Sequence, residues 1–140
     1  MSEPLHKTLT DIVDFLNDQG VPFAVIGGIA TSVRGEPRFT AAVDIVIGTD
    51  VDRCLELLGA VEDSAFRPLF REASKVVQTA FLLPLRHRQT RIKVDLAVGL
   101  TGFERQTIHR ATTVELADRA IPIATAEDLA SGLYFGRFQT

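Results

Sequence analysis

The sequence predicts a single α/β (α+β) domain in which helices flank a mixed β-sheet. Apolar runs typical of strands alternate with segments of helical periodicity. This alternation lacks the regular repeat of a doubly wound parallel sheet, which favours a mixed sheet. The chain has 140 residues and an apolar fraction of 46%, enough for one compact core. We therefore expect one domain over residues 1–140.

The first third of the chain predicts a helix, a strand, a short helix and a second strand. From Leu5 to Gln19 apolar residues recur every three or four positions, which predicts an amphipathic helix that ends at Gly20. The run FAVIG predicts a buried strand, and a glycine turn and a short helix up to Gly35 follow it. The run AAVDIVIG predicts the second strand.

The next segment predicts a helix and then a loop. Thr49 or Asp50 can cap a helix that runs through Gly59. The region from Ala60 to Lys75 has no regular pattern, and we expect a loop there. The buried stripe expected for the helix is Val51, Leu55 and Leu58.

The second half predicts a hairpin, a helix, two short strands and a last helix. VVQTAFLLPLR and RIKVDLAVG are separated by HRQT and predict an antiparallel pair, in which Pro84 indicates an edge strand or a bulge. A helix is expected over Phe103–Ala111, and short strands at TVEL and AIPIA. In TAED, Thr125 can cap a helix that runs to Tyr134 or Phe135.

Composition excludes several classes of protein. The net charge of -3 argues against sequence-independent binding to nucleic acid. The single cysteine, Cys54, lies at helical spacing among apolar residues and is interpreted as a small core residue. No signal peptide and no membrane-spanning run is recognised, so we expect a soluble, cytoplasmic protein without membrane contacts.

Two features point to a binding site for an anion and a cation. Gly27 and Gly28 stand between a strand and a helix, where a backbone without Cβ atoms can approach a phosphate at the helix start. Asp44 and Asp95 each stand in the middle of an apolar strand, where an ionised carboxylate is costly unless it is paired or bound to a metal. Arg38, between these features, can hold a phosphate or pair with an acid.

Taken in order, VIGGIATSVRGEPRFTAAVDIVIG and IKVDLAVG resemble the nucleotidyltransferase superfamily that includes DNA polymerase β. The resemblance is strongest to small bacterial nucleotidyltransferases of abortive-infection and toxin-antitoxin systems, with their GGxA turn, RxT loop and Asp-x-Asp strand. ATAEDLASGLYFGRF is similar to their C-terminal EDL helix. The resemblance runs from about Phe23 to Arg137.

The resemblance implies a nucleotidyltransferase-like fold and the transfer of a nucleoside monophosphate from a nucleoside triphosphate, such as ATP, to an acceptor hydroxyl. Two Mg²⁺ ions held by carboxylates support this reaction in the family. Asp44 would be the second acid of the Asp-x-Asp pair, and Asp95 the third carboxylate, closest to the acceptor hydroxyl. The residues implied to bind the nucleotide are Gly27, Gly28, Thr31, Ser32, Arg38 and Thr40.

The sequence departs from the family at the first acid of the pair, where Ala42 stands two residues before Asp44. A methyl group cannot bind Mg²⁺, so two carboxylates should hold a metal pair more weakly than three. Either the chain is a degenerate member of the family, or position 42 carries an inactivating change.

The remaining polar residues give weaker signals. His6, His87 and His109 lack a second ligand at metal spacing and are interpreted as surface or turn residues. The cluster RHRQTRIK is either a solvated turn or a surface that steers an anionic nucleotide or an RNA acceptor. A homodimer or a partner subunit is expected to complete the acceptor site.

Three interpretations stay open at this point. The chain is an active nucleotidyltransferase, a non-catalytic nucleotide-binding or partner-binding domain of that fold, or an unrelated α/β interaction domain with two structural acids. In the third case the carboxylates of Asp44 and Asp95 are expected on different faces, too far apart to share a cation.

Overall fold

The computed structural model describes residues 1–35 and 42–131. Its helices are α1 (Glu3–Asp18), α2 (Gly27–Val33), α3 (Val51–Val61), α4 (Ala73–Ala80), α5 (Gly102–Arg110) and α6 (Ala126–Ala130). Its strands are β1 (Phe23–Ile26), β2 (Ala42–Ile47), β3 (Phe66–Pro68), β4 (Leu82–His87), β5 (Lys93–Val98), β6 (Thr112–Leu116) and β7 (Arg119–Ile123). Within these ranges, every helix is too short or too polar to cross a bilayer.

The strands form one mixed sheet in the order β3-β4-β5-β2-β1-β7-β6. The pairs β2–β5 and β1–β7 are parallel, and the other neighbouring pairs are antiparallel. The sheet and its flanking helices confirm the predicted mixed α/β fold. The two strands that carry the acids, β2 and β5, are neighbours in the middle of the sheet.

The two faces of the sheet are covered differently. One face packs against α1, α3 and α4 in a large apolar cluster that includes Ile12, Ile45 and Leu57. The other face carries a small cluster of buried residues, Ala24, Ile26, Val46 and Ala124, against which side chains of α5 and α6 pack. Because side chains alternate along a strand, Asp44, two residues before Val46, faces the sparsely covered side.

Local signals place most element boundaries as predicted. The Asp50 side chain accepts the Arg53 backbone N–H at 2.8 Å, which starts α3. Thr125 caps α6 through the Asp128 N–H at 3.2 Å. The predicted continuation of α6 to Tyr134 or Phe135 falls outside the described residues.

Three predictions about residues 51–80 were wrong. The fully buried residues of α3 are Cys54, Leu57 and Val61, whereas the predicted stripe is only partly buried. The small thiol at position 54 lies in the core, as predicted, and burial raises its pKa to about 12. The expected loop contains β3 and the start of α4, and the run VVQTA belongs to that helix instead of a strand.

Pro84 was predicted to mark an edge strand or a bulge, but β4 lies between β3 and β5. The reason is the shortness of β3, which ends at Pro68 opposite Leu85. Beyond that point Pro84 accepts only the Leu69 backbone N–H, at 3.0 Å. The missing N–H of the proline therefore falls where the neighbouring strand has already ended.

His87 is buried, in contrast to the predicted surface position, although it does lie at the hairpin turn. Its Nδ1 accepts the backbone N–H groups of Gln89 and Thr90, each at 3.0 Å. Its Nε2 lies 2.7 Å from Asp11 Oδ2 on α1. The imidazole thus fixes the β4–β5 turn and attaches it to the first helix.

Candidate active site

The parallel ladder of β2 and β5 places the two acids side by side. Asp44 is the direct register partner of Asp95, and Ala42 is the partner of Lys93. Residues directly opposite each other on adjacent strands point to the same face. The prediction that an unrelated domain would place the two acids on different faces therefore does not describe this chain.

Gly27 brings the backbone of the β1–α2 turn against Asp44. Its φ is +69°, a conformation that favours glycine. A Cβ atom at position 27 would lie only 2.9 Å from both Cβ and Cγ of Asp44. The glycine therefore lets the turn at the start of α2 approach the carboxylate, which a side chain at this position would prevent.

Asp44 is held in conditions that favour its protonated form. Its pKa is raised to about 6, chiefly by burial and also by the nearby charge of Asp95, while the charge of Lys93 partly offsets these effects. Without a bound cation, Asp44 is mostly ionised at neutral pH, and keeping that charge in a buried position costs folding free energy.

Asp95 is buried and has one direct cationic partner. Its Oδ2 lies 3.3 Å from Lys93 Nζ, while its Oδ1 is buried and has no hydrogen-bond partner among the described residues. Burial raises the pKa of Asp95, against the opposing effect of the Lys93 ammonium. An orphaned carboxylate oxygen of this kind is suited to accept a cation or a proton.

The sequence analysis included Lys93 in the basic cluster RHRQTRIK, and the structure pairs its ammonium with Asp95. Lys93 shares the strand face of Asp95, as alternation predicts, and it stands opposite Ala42. Arg91, two residues before Lys93, precedes β5 at an exposed position with φ of +69°. The ammonium of Lys93 thus lies beside Asp95, on the strand that pairs with Ala42.

The residues implied to bind the nucleotide are only partly described. Thr31, on α2, donates its hydroxyl to the Gly27 carbonyl oxygen at 2.9 Å, and Ser32 follows on the same half-buried helix. Gly28 lies in the first turn of α2. Arg38 and Thr40 fall outside the described residues.

Arg34 fixes the position of α2, a role that the sequence did not reveal. Its Nε donates to the Ala124 carbonyl oxygen at 3.0 Å, and its Nη2 donates to Ile123 O at 2.9 Å and to Thr112 Oγ1 at 2.6 Å. The start of the predicted EDL helix is fixed similarly, because the buried Asp128 accepts Arg110 Nη1 at 3.1 Å.

The donor set fits a cation that is shared with a substrate. Mg²⁺ is commonly bound by one or two carboxylates together with water and phosphate oxygens. Asp44 and Asp95 supply two carboxylates, and the orphaned Oδ1 of Asp95 fits such a ligand. No group of three or more acids, histidines or cysteines that could hold a metal occurs over residues 1–35 and 42–131.

No protein-family model and no curated protein matches the sequence. Solved structures do match the fold. A candidate nucleotidyltransferase from Thermotoga maritima, TM1012, is 18% identical with a TM-score of 0.62, over 98% of this chain and 88% of that one. At 18% identity, this similarity shows that the two chains share a fold.

Two antibiotic-modifying proteins are similar to the chain at the same level. ANT(2'')-Ia, in complex with adenylyl-2''-tobramycin, is 14% identical with a TM-score of 0.64, over 97% of this chain and 78% of that one. The lincosamide adenylyltransferase LnuA, bound to lincomycin, is 15% identical with a TM-score of 0.63, over 100% of this chain and 87% of that one. The chain therefore has the fold of nucleotidyltransferases.

Proposed function

We propose that the protein binds a nucleoside triphosphate with Mg²⁺ and transfers its nucleoside monophosphate to an acceptor hydroxyl, at a rate reduced by Ala42. The observation that carries this proposal is the direct register of Asp44 and Asp95 beside the Gly27 turn. The shared fold supports it independently.

The reaction requires three events at this site. The acceptor oxygen forms a bond to the α-phosphorus, the bond from that phosphorus to the pyrophosphate oxygen breaks, and the hydroxyl proton leaves. The bound Mg²⁺ would supply positive charge to the phosphate oxygens. Asp95, whose Oδ1 has no other described partner and whose Oδ2 is fixed by Lys93, would hold the cation beside the acceptor hydroxyl, and the hydroxyl proton would pass to water.

Weak catalysis is proposed from the contacts of position 42. Ala42 offers no ligand, and its register partner Lys93 is already paired with Asp95. With alanine at position 42 and Lys93 paired with Asp95, the proposed site has one carboxylate fewer and less negative charge. Its affinity for a second Mg²⁺ ion should therefore be lower.

The same observation favours a second candidate, a nucleotide-binding domain without transfer activity. In that case the Lys93–Asp95 pair replaces the second metal ion permanently, and the nucleotide is a bound ligand instead of a substrate. The predicted dimer or partner subunit, the toxin-antitoxin association and the cytoplasmic location stay predictions.

Titration calorimetry with Mg²⁺ and each of the four nucleoside triphosphates tests the proposed function. We expect at least one nucleotide to bind below millimolar concentration and only when Mg²⁺ is present. Asp95→Asn should weaken this binding about tenfold because it removes one carboxylate charge from the cation. The matched control Asp63→Asn removes an exposed acid after α3 and should not change it. The absence of binding by every nucleotide at millimolar concentration would contradict both candidates.

Ala42→Asp separates the two candidates. The new carboxylate would stand opposite Lys93 and beside Asp44, which restores a third acid. We expect the affinity for Mn²⁺, measured by electron paramagnetic resonance, to rise about tenfold, and nucleotidyl transfer from α-labelled nucleotide to rise with it. Ala42→Asn, similar in size but uncharged, is the control and should raise neither. If Ala42→Asp binds Mn²⁺ more tightly but transfers nothing, the non-catalytic candidate is favoured.

A further inference from the structure

Three cationic side chains form a row across three adjacent strands next to the acid pair. Arg67 of β3 is the register partner of Arg86 of β4, and Arg86 is the partner of Lys93 of β5. We call these three residues the basic row. Neighbouring strands are about 4.8 Å apart, so the backbones of the row span roughly 10 Å. The row continues in register to Ala42 of β2.

The basic row lies on the same face as the acids. Pro84, two residues before Arg86, is the partner of Asp95, and Lys93 contacts Asp95 directly. Residues two apart on a strand share a face, so all three cations point toward the side of the sheet that carries the carboxylates. Arg67 is exposed, and Arg86 and Lys93 are partly exposed.

Lys93 is paired with Asp95, but the row leaves the positive charges of Arg67 and Arg86 opposite each other, an arrangement that a bound anion would stabilise. Like charges directly opposite each other on neighbouring strands destabilise a sheet. In the described part of the chain, neither Arg67 nor Arg86 forms an ion pair with a carboxylate. The Nη1 of Arg86 donates to the Arg91 carbonyl oxygen at 2.6 Å, which orients the guanidinium without neutralising it.

The other arginines of the hairpin do not belong to the row. Arg88 donates to the carbonyl oxygens of Ser64 and Glu62, at 3.2 and 3.3 Å, and Arg91 precedes β5. Arg67 comes from a distant segment of the chain. The structure therefore selects two of the four basic residues of the hairpin cluster and adds a third that the sequence did not connect with them.

The position of the row relative to Gly27 indicates what it binds. In the sheet order, β1 and the Gly27 turn lie on one side of the acid pair, whereas β4 and β3 lie on the other. The attacking and leaving oxygens of a phosphoryl transfer lie roughly in line. If the triphosphate lies at the Gly27 turn, the acceptor enters from the side of the basic row.

We propose that the basic row binds a phosphate group of the acceptor, so that the acceptor carries a phosphate within about 10 Å of the hydroxyl that is modified. This inference rests on the proposed function and adds the chemical class of the acceptor. A phosphomonoester of a small molecule and a phosphodiester of a nucleic acid share this chemistry. A polycationic acceptor is disfavoured by the charge of the row.

Binding measurements test the assignment without reference to activity. The probes are ribose 5-phosphate, with ribose as its uncharged control, and a fluorescein-labelled hexauridylate. The variant Arg67→Gln/Arg86→Gln removes two charges of the row, and the matched control Arg71→Gln/Lys75→Gln removes two exposed charges on and just before α4. Calorimetry and fluorescence anisotropy are recorded with and without Mg²⁺ and a non-hydrolysable ATP analogue.

We expect wild type to bind at least one phosphate probe, the row variant to lose about tenfold in affinity for it, and the control variant to change less than twofold. If hexauridylate binds, a plot of the logarithm of its binding constant against the logarithm of the salt concentration should be less steep in the row variant. The slope should fall in magnitude by about 1.4, which is about 0.7 for each of the two charges removed. Binding of ribose 5-phosphate alone identifies a phosphomonoester acceptor, and binding of hexauridylate alone identifies a nucleic-acid acceptor.

The contrary results are distinct from a failure of the proposed function. Equal affinities of the row and control variants, or no binding of either probe, overturn the assignment. If the row variant no longer binds the ATP analogue, the row holds the triphosphate. This result also overturns the assignment of the row to the acceptor. If wild type binds a phosphate probe but no nucleotide, nucleotidyl transfer itself is wrong, and the bound molecule is not an acceptor.

Discussion

Asp44→Asn is expected to stabilise the metal-free protein at pH 7.5 by up to about 3 kcal/mol. The physical reason is that burial and the neighbouring Asp95 raise the pKa of Asp44 to about 6, above the ordinary value of about 3.9 that the unfolded chain has. A pKa difference of about two corresponds to about 3 kcal/mol between the protonated and ionised forms. Asparagine removes the charge while it keeps the size of the side chain.

The sign of the pH dependence follows from the same difference. The folded wild type binds the Asp44 proton more tightly than the unfolded chain does, so its stability falls as the pH rises from about 4 to about 6. Above about pH 6 the ionised Asp44 destabilises the folded state in full, and below about pH 4 this destabilisation is absent. The stability of Asp44→Asn should therefore exceed that of wild type at pH 7.5 and approach it near pH 4.

Urea denaturation in EDTA at pH 4, 6 and 7.5 measures this difference. The control Asp63→Asn changes an exposed acid outside the site and should follow wild type at each pH. Added Mg²⁺ should stabilise wild type more than Asp44→Asn, because the variant keeps only the Asp95 carboxylate as a charged ligand. Equal or lower stability of Asp44→Asn at pH 7.5 would show that the carboxylate is not a destabilising group.

Gly27→Ala is expected to lower the free energy of unfolding by about 2 to 4 kcal/mol and to abolish nucleotide binding. Alanine is unfavourable at φ of +69°, and its Cβ would lie 2.9 Å from the Asp44 Cβ, so β2 or the turn must shift. The shift would move both the carboxylate and the start of α2. Denaturant unfolding and nucleotide titration measure the two effects.

Two further variants separate the causes. Gly59→Ala lies in α3 where a Cβ would meet no atom within 4 Å, and it should stabilise the protein by up to about 1 kcal/mol through helix propensity. Gly27→Ala combined with Asp44→Gly removes the contact and leaves only the cost of the backbone conformation. If the free-energy changes of Gly27→Ala and Asp44→Gly, measured singly, add up to that of the double variant, the turn and the carboxylate do not touch.

Much of the fold could be predicted because its signals are local. The helix of residues 3–18 follows from its apolar spacing, and caps such as Asp50 and Thr125 follow from side chains that accept nearby N–H groups. The segment before β4 could not be predicted in the same way. β3 has three residues, too few to show alternation, and α4 is distinguished from a strand only by its packing.

The residues of the candidate site also differ in whether local sequence signals could reveal them. Asp44 and Asp95 could be found because a carboxylate in an apolar strand is unusual wherever it occurs, and the glycine pair because of its place between a strand and a helix. Lys93 could be placed near Asp95 from alternation along the strand, but Arg67 could not be connected with the site, because only strand register brings it beside Arg86. Register between segments distant in sequence is a property of the assembled sheet.

The parallel ladder between β2 and β5 also affects how the molecule folds. Its six pairs join residues 42–47 to residues 93–98, so the chain must close a loop of more than forty residues before the ladder can form. Contacts of such long sequence separation are slow to form. A chain that has folded only its local helices and the β4–β5 hairpin lacks the Asp44–Asp95 neighbourhood altogether. We therefore expect the pKa of Asp44, measured by nuclear magnetic resonance, to rise only when the β2–β5 ladder has formed.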